Sequence, residues 1–198
     1  HHGVQDLSAM INLPNLQIYN VTDDLNTRKI VDLSYDDTSP KYIRIEKGVL
    51  PRLYSEEDNV STGMKKICAT ESDVVVFSTG YMTHFTNNVV NKLMSEGLNI
   101  SHYDLFRLKP LPISKILSLV NKKRVITIEE NIKSGGMGEK IFSLLKEKNH
   151  KKDVLGISIK DDFYFKFGDR DYLHDVTKIS EDDLYKKIKI FINNNKEV

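Results

Sequence analysis

Residues 125–141 read VITIEENIKSGGMGEKI. The first half, with Arg124, is the apolar, β-branched run of a buried strand, RVITIEE. A glycine-rich turn, SGGMG (134–138), then leads into a helix over EKIFSLLKEKN (139–149). Strand, tight turn and helix in about two dozen residues form the unit from which α/β proteins are built. Glycines ahead of a helix can cradle a phosphate, because backbone N–H groups point outward at the positive end of the helix dipole. The spacing here fits neither a Walker loop nor GxGxxG, so close packing is the preferred reading of the turn. Glu129 and Glu130 sit at the strand's end, where α/β sheets place ligands; one of the pair is expected to bond the glycine turn or to face an interface.

The same alternation extends in both directions. Upstream, DVVVFST (73–79) reads as a buried strand and THFTNNVVNKLMSEG (83–97) as a helix stopped by Gly97. NISHYDLF (99–106) is the next strand, and Pro110 and Pro112 set the start of a helix over LPISKILSLV. Downstream, DVLGISIK (153–160) is a strand. A last helix follows Ser180, with Leu184, Ile188 and Ile192 on one face. Residues from about 65 onward therefore make a complete α/β domain. The front of the chain has strands at LQIYN (16–20) and KYIRIE (41–46), with a helix between them capped by Thr22 or Asp23. That is too little for a sheet domain, so the beginning of a domain is expected to be missing. Lys47 to Ser72 lacks a sustained period and reads as a linker carrying at most one short hairpin.

Composition narrows the function. The 198 residues carry 29 basic and 28 acidic side chains, a net charge of +1 that favours neither nucleic acid nor an anionic membrane. There is no apolar run long enough to cross a bilayer and no signal peptide, and the one cysteine, Cys68, forms no disulfide framework. A cytoplasmic protein is the expectation, with Cys68 a small structural residue.

Five landmarks, taken in order, carry a resemblance. HHGVQDLSAMINLPNLQIYNVTD (1–23), KYIRIEKG (41–48), VVVFSTGYM (74–82), DLFRLKPL (104–111) and VITIEENIKSGGMGEKI resemble the C-terminal part of the transketolase and 1-deoxyxylulose-5-phosphate synthase family of thiamine diphosphate enzymes. The resemblance implies a three-layer, mostly parallel sheet domain of the transketolase C-terminal type, preceded by a partial α/β pyrimidine-binding domain. It implies boundaries at 1–50 for the tail of the pyrimidine domain, 51–70 for a linker and 71–198 for the C-terminal domain. The activity implied is transfer of a two-carbon ketol unit between sugars. A synthase-like activity, or that of the β-chain of a 2-oxoacid dehydrogenase decarboxylating a 2-oxoacid, is the alternative. A non-catalytic dimerisation or regulatory module is the alternative of another class. Thiamine diphosphate and Mg would be bound by regions outside this sequence. The partners would be sugar or sugar-phosphate substrates, with a homodimer or a heterotetramer containing a diphosphate-binding subunit.

The resemblance also assigns residues. His1 falls on the family histidine that hydrogen-bonds the donor sugar near the reactive carbon, a catalytic and substrate-binding role that suits an imidazole. His2 lies where relatives carry Gln and would line the same cleft. The competing reading of this pair is the remnant of a purification tag. Lys47 replaces an arginine that grips substrate phosphate in many relatives; it offers a point charge where Arg would offer a fork. Arg44, three residues earlier on the strand, is read as a solvated edge residue. His84, His102, His150 and His174 are read as surface or core-edge residues, and the aromatics of DDFYFKFGDRDYL (161–173) as a contact between protomers.

Overall fold

The computed structural model describes residues 3–194; His1 and His2 lie outside the described residues. A five-stranded sheet is built from β3 (Lys65–Cys68), β4 (Val74–Ser78), β5 (Ser101–Asp104), β7 (Arg124–Ile132) and β8 (Val154–Ile159) in the order β3-β5-β4-β7-β8. All neighbours pair parallel except the edge strand β3, which runs antiparallel to β5. A second sheet has the order β2-β1-β6, with β1 (Gln17–Asn20) and β2 (Lys41–Arg44) parallel and β6 (Arg107–Lys109) antiparallel to β1. The elements expected from sequence are present, with α2 (Asp24–Tyr35) capped by Asp23, whose carboxylate accepts the backbone N–H of Asn26.

Strand alternation divides the core into layers. Val74, Val76, Ile126, Ile128, Ile157 and Ile159 face α3 (Met82–Ser95) and α7 (Glu181–Asn193), whose Leu184, Ile188 and Ile192 complete that layer as expected. Val75, Phe77 and Val125 face α4 (Ile113–Val120), α5 (Met137–Glu147) and α1 (Asp6–Met10). Each buried Leu or Ile removes enough apolar surface from water to be worth about 1.5–3 kcal/mol.

Two expectations for residues 41–110 need correction. The stretch 47–72 holds no hairpin; a 3₁₀ turn at Val60–Thr62 is followed by β3, which closes one edge of the large sheet. The two front strands do not stand alone, because β6, which follows β5 in the chain, pairs with β1, and Phe106 is buried with Tyr19, Val21 and Leu25, while β2 remains an edge. Three residues are too few to announce a strand by period, so its partner decides it.

Two buried carboxylates fasten these layers. Glu129 accepts the backbone N–H groups of Met137 (2.7 Å) and Gly138 (2.8 Å), so a strand side chain caps α5 from beneath. The glycines permit this approach: a Cβ on Gly136 would lie 2.6 Å from the Glu129 carboxylate oxygens, and one on Gly138 2.7 Å from Thr127 Oγ1. The packing reading of the turn is therefore correct, and Glu129 is the acid that bonds it. Asp104, wholly buried at the end of β5, accepts hydroxyls from Thr22 (2.5 Å), Tyr54 (2.6 Å) and Thr83 (2.9 Å). These three donors belong to the front segment, the 47–72 stretch and α3, so one carboxylate joins them all. Burial nevertheless pushes Asp104 up to about 6 and Glu129 up to about 7.

Gly136→Ala should cost about 2–4 kcal/mol, because the methyl displaces a buried carboxylate from two N–H groups. Gly97→Ala should cost only about 1 kcal/mol: its Cβ meets nothing within 4 Å, and the penalty is the backbone strain of φ +86°. Urea unfolding of the two variants measures the difference. Asp104 supplies a pH test. Its folded pKa lies above that of the unfolded chain, so its protonated form stabilises below about pH 4 and that contribution disappears as pH rises through about 6. Between pH 4 and pH 7 the wild type should lose about 3 kcal/mol relative to Asp104→Asn. A pH-independent stability gap between the two would refute this.

Candidate functional site

In open parallel sheets, ligands are held beyond the carboxyl ends of strands where the connections diverge. Here α3 carries the chain from β4 to β5 on one side, and α5 carries it from β7 to β8 on the other. The divergence lies between the ends of β4 and β7. The front of the chain packs there. Val4 O accepts the N–H of Ile132 (2.9 Å). Ser8 Oγ donates to the carbonyl of Ser134 (2.6 Å) and accepts from the Asn131 amide (2.7 Å). The residues that follow His1 and His2 are thus anchored from Val4 onward beside the end of β7.

Around this anchor lies a charged cluster drawn from several elements. Arg170, the first residue of α6 (Arg170–Thr177), pairs with Glu130 and donates to Glu46 (2.6 Å) while its guanidinium stacks 3.5 Å from the Tyr81 ring centroid. Arg44 donates to the backbone carbonyl of Glu130 (3.0 Å) and lies 3.7 Å from an Asp6 and 3.8 Å from a Glu130 carboxylate oxygen. Tyr42 OH donates to Asp6 (2.8 Å), and His174 Nε2 lies 2.6 Å from Glu130. The hydrogen bonds from His174 and Arg170 outweigh burial and hold the Glu130 carboxyl well below the usual range.

Of the residues singled out from sequence, Lys47 is exposed in the bend after β2, directly after Glu46. Its neighbours Glu46 and Gly48, with Thr22, Asp23 and Val49, help line an open groove of about 380 Å³, but Lys47 itself is not part of that lining. His1 and His2 lie outside the described residues. Arg44 is not the solvated edge residue expected: the approach of α1 and β7 covers the end of β2 and leaves its side chain 16% exposed. Two histidines are also deeper than expected. His102 is fully buried, with Nε2 2.7 Å from Ser78 Oγ, and burial lowers it to about 3. His174 is 2% exposed between the Tyr81 and Phe85 rings. Burial raises the Cys68 thiol, the opposite of what a nucleophile needs.

Among the described residues no three His, Cys, Asp or Glu side chains come together to hold a metal ion. No helix among them is long and apolar enough to cross a membrane. The cluster of Asp6, Arg44, Glu130, Arg170 and His174 had no signal in sequence, since its members are up to 168 residues apart.

Comparison with known proteins now bears on this arrangement. The family model of the transketolase C-terminal domain matches residues 63–184. The chain is 29% identical, over 166 residues, to 1-deoxy-D-xylulose-5-phosphate synthase of Syntrophomonas wolfei, covering 82% of this chain and 26% of that protein. It is 24% identical to one of the subunits of apulose-4-phosphate transketolase of Phocaeicola vulgatus, covering 79% of this chain and 51% of that one. It therefore spans about a quarter to a half of these relatives. Among solved structures, a split-gene transketolase, an inactive beta4 tetramer, superposes with a TM-score of 0.84 at 24% identity, over 96% of this chain and 61% of that one. Transketolase from Campylobacter jejuni gives 0.74 at 14% identity, over 96% and 28%. These two likenesses bear on the fold, which is the α/β architecture expected. With the family model covering more than half its length, the chain belongs to the transketolase C-terminal domain family.

Proposed function

We propose that this chain is the C-terminal half of a thiamine diphosphate-dependent, transketolase-like transferase that moves a two-carbon ketol unit between sugars. Residues 1–50 are the tail of its pyrimidine-binding domain, 51–70 the connection and 71–198 its C-terminal domain. The observation that carries this reading is the anchoring of the segment after His1 and His2 at the end of β7, where a parallel sheet offers its ligand site. His1 positions and polarises the donor sugar, His2 lines the same cleft, and Lys47 meets an anionic or hydroxylated distal end. Thiamine diphosphate, held with Mg outside this sequence, supplies the electron sink when bound. The diphosphate-binding domain comes from a partner, in a homodimer or a heterotetramer. The almost fully exposed Val49 and the exposed Phe163, Phe165 and Phe167 are surfaces such a partner would cover. A cytoplasmic setting follows from this chemistry.

The second reading is a 1-deoxyxylulose-5-phosphate synthase-like enzyme that decarboxylates a 2-oxoacid. It is favoured by the 29% identity to such a synthase, against 24% to the transketolase relative.

Assembled with its diphosphate-binding domain, the protein should consume ketose phosphates in a thiamine diphosphate-dependent way. Turnover of pyruvate instead selects the second reading, and turnover of neither selects a non-catalytic module. His1→Ala should lower kcat by about 10²–10⁴. Lys47→Met should raise KM about tenfold with kcat nearly unchanged, as expected for loss of uniform substrate binding. A His1→Ala variant with full activity would identify the histidines as a tag remnant.

A further inference from the structure

The charged cluster places a carboxylate of the large sheet between two arms that lead to the proposed substrate residues. One arm runs from the Glu130 carboxylate to Arg170, and from Arg170 Nη1 to Glu46 Oε2 at 2.6 Å; Lys47 is the next residue. The other runs from Glu130 to Arg44, which donates to the Glu130 carbonyl at 3.0 Å, and from Arg44 to Asp6 at 3.7 Å. Asp6 opens α1, two residues beyond Val4, whose carbonyl is pinned to Ile132. Both arms end within five residues of a group proposed to touch substrate.

We propose that Glu130 is a positioning residue: from the C-terminal sheet domain it sets the places of Lys47 and of the segment leading back to His1. The inference rests on the function proposed above, and it gives the C-terminal domain a part in a site whose reacting groups lie elsewhere. The geometry supplies the reason for a carboxylate. Arg170 offers Glu130 two nitrogens, with Nε at 3.1 Å from Oε1, and a planar fork holds direction as well as distance. Glu130 also faces His174 and Arg44, so it is the anion that lets three basic side chains share one place. An uncharged replacement leaves those groups facing one another, and the ends of β2 and α1 shift. The backbone carbonyl of Glu130 still accepts Arg44, so the shift is a loosening and not a loss of fold. Misplacement of reacting groups by about 1 Å costs on the order of 10² in rate.

The test compares wild type with Glu130→Gln, an isosteric change that keeps an oxygen for His174 and removes the charge. In the assembled enzyme, kcat should fall about 10- to 100-fold and KM for an anionic ketose should rise, while thiamine diphosphate affinity stays unchanged. Amide hydrogen exchange on the full chain provides a readout independent of activity. It should quicken at residues 3–11 and 44–50 and stay unchanged across β4 and α3. Arg44→Met severs only the arm to Asp6, so it should quicken residues 3–11 alone, and it decides the matter should Glu130→Gln not fold. Exchange that changes only within 170–177, or kcat and KM both within twofold of wild type, overturns the proposal. An inactive wild type with the expected exchange pattern overturns the proposed function and leaves the coupling standing.

Discussion

Two neighbouring carboxylates on β7 project to opposite faces of the sheet, because successive side chains on a strand alternate, and the rest of the molecule is arranged around them. Glu129 points into the layer of α5 and is consumed by the helix: its two oxygens take the N–H groups of Met137 and Gly138, which no turn of helix could satisfy. Glu130 points to the other layer and is consumed by Arg170 and His174. The first fixes where α5 starts, and so where β8 is laid down. The second fixes where α6 starts and reaches across to β2. A single strand end thereby orders both layers and the front of the chain.

Asp104 has a comparable role on β5, two strands away from β7. Its three hydroxyl donors come from segments that share no secondary structure, so the carboxylate is the point at which they meet. The small sheet depends on this. Two parallel strands and one borrowed strand bury too little by themselves to be stable in water. Tyr54, whose hydroxyl goes to Asp104, packs edge-on against Phe106, the residue that leads into β6. Polar staple and aromatic packing therefore act on the same junction. Asp23 adds to it by accepting the N–H groups of Leu53 and Tyr54 while capping α2.

How much of this was legible in the sequence follows from what each feature depends on. Strands such as VVVFS and helices such as that over Met137–Glu147 announce themselves by β-branched runs and by period, which are local properties. The glycine turn was legible too, since glycines without a phosphate-loop spacing point to close approach. What stayed hidden was settled by partners far along the chain. β6 exists because β1 needs an edge, and His102 is buried because β5 lies inside the sheet between β3 and β4. Arg44 reads as a solvated strand residue until Asp6 and Glu130 are seen beside it. Composition gives no hint that an arginine on a four-residue strand is roofed by a helix 38 positions earlier and a strand 86 positions later.

The balance of charge within the cluster bears on what Lys47 can do. Asp6, Glu46 and Glu130 face Arg44 and Arg170, with His174 supplying a further donor, so positive and negative groups nearly cancel before the surface is reached. Had Glu46 been turned toward Lys47, the lysine's charge would be neutralised within the protein. Its carboxylate is instead held by Arg170 at 2.6 Å, and Lys47 stands exposed. A lysine in that setting acts on an anion as a hydrated point charge, without the directional demand of an arginine fork.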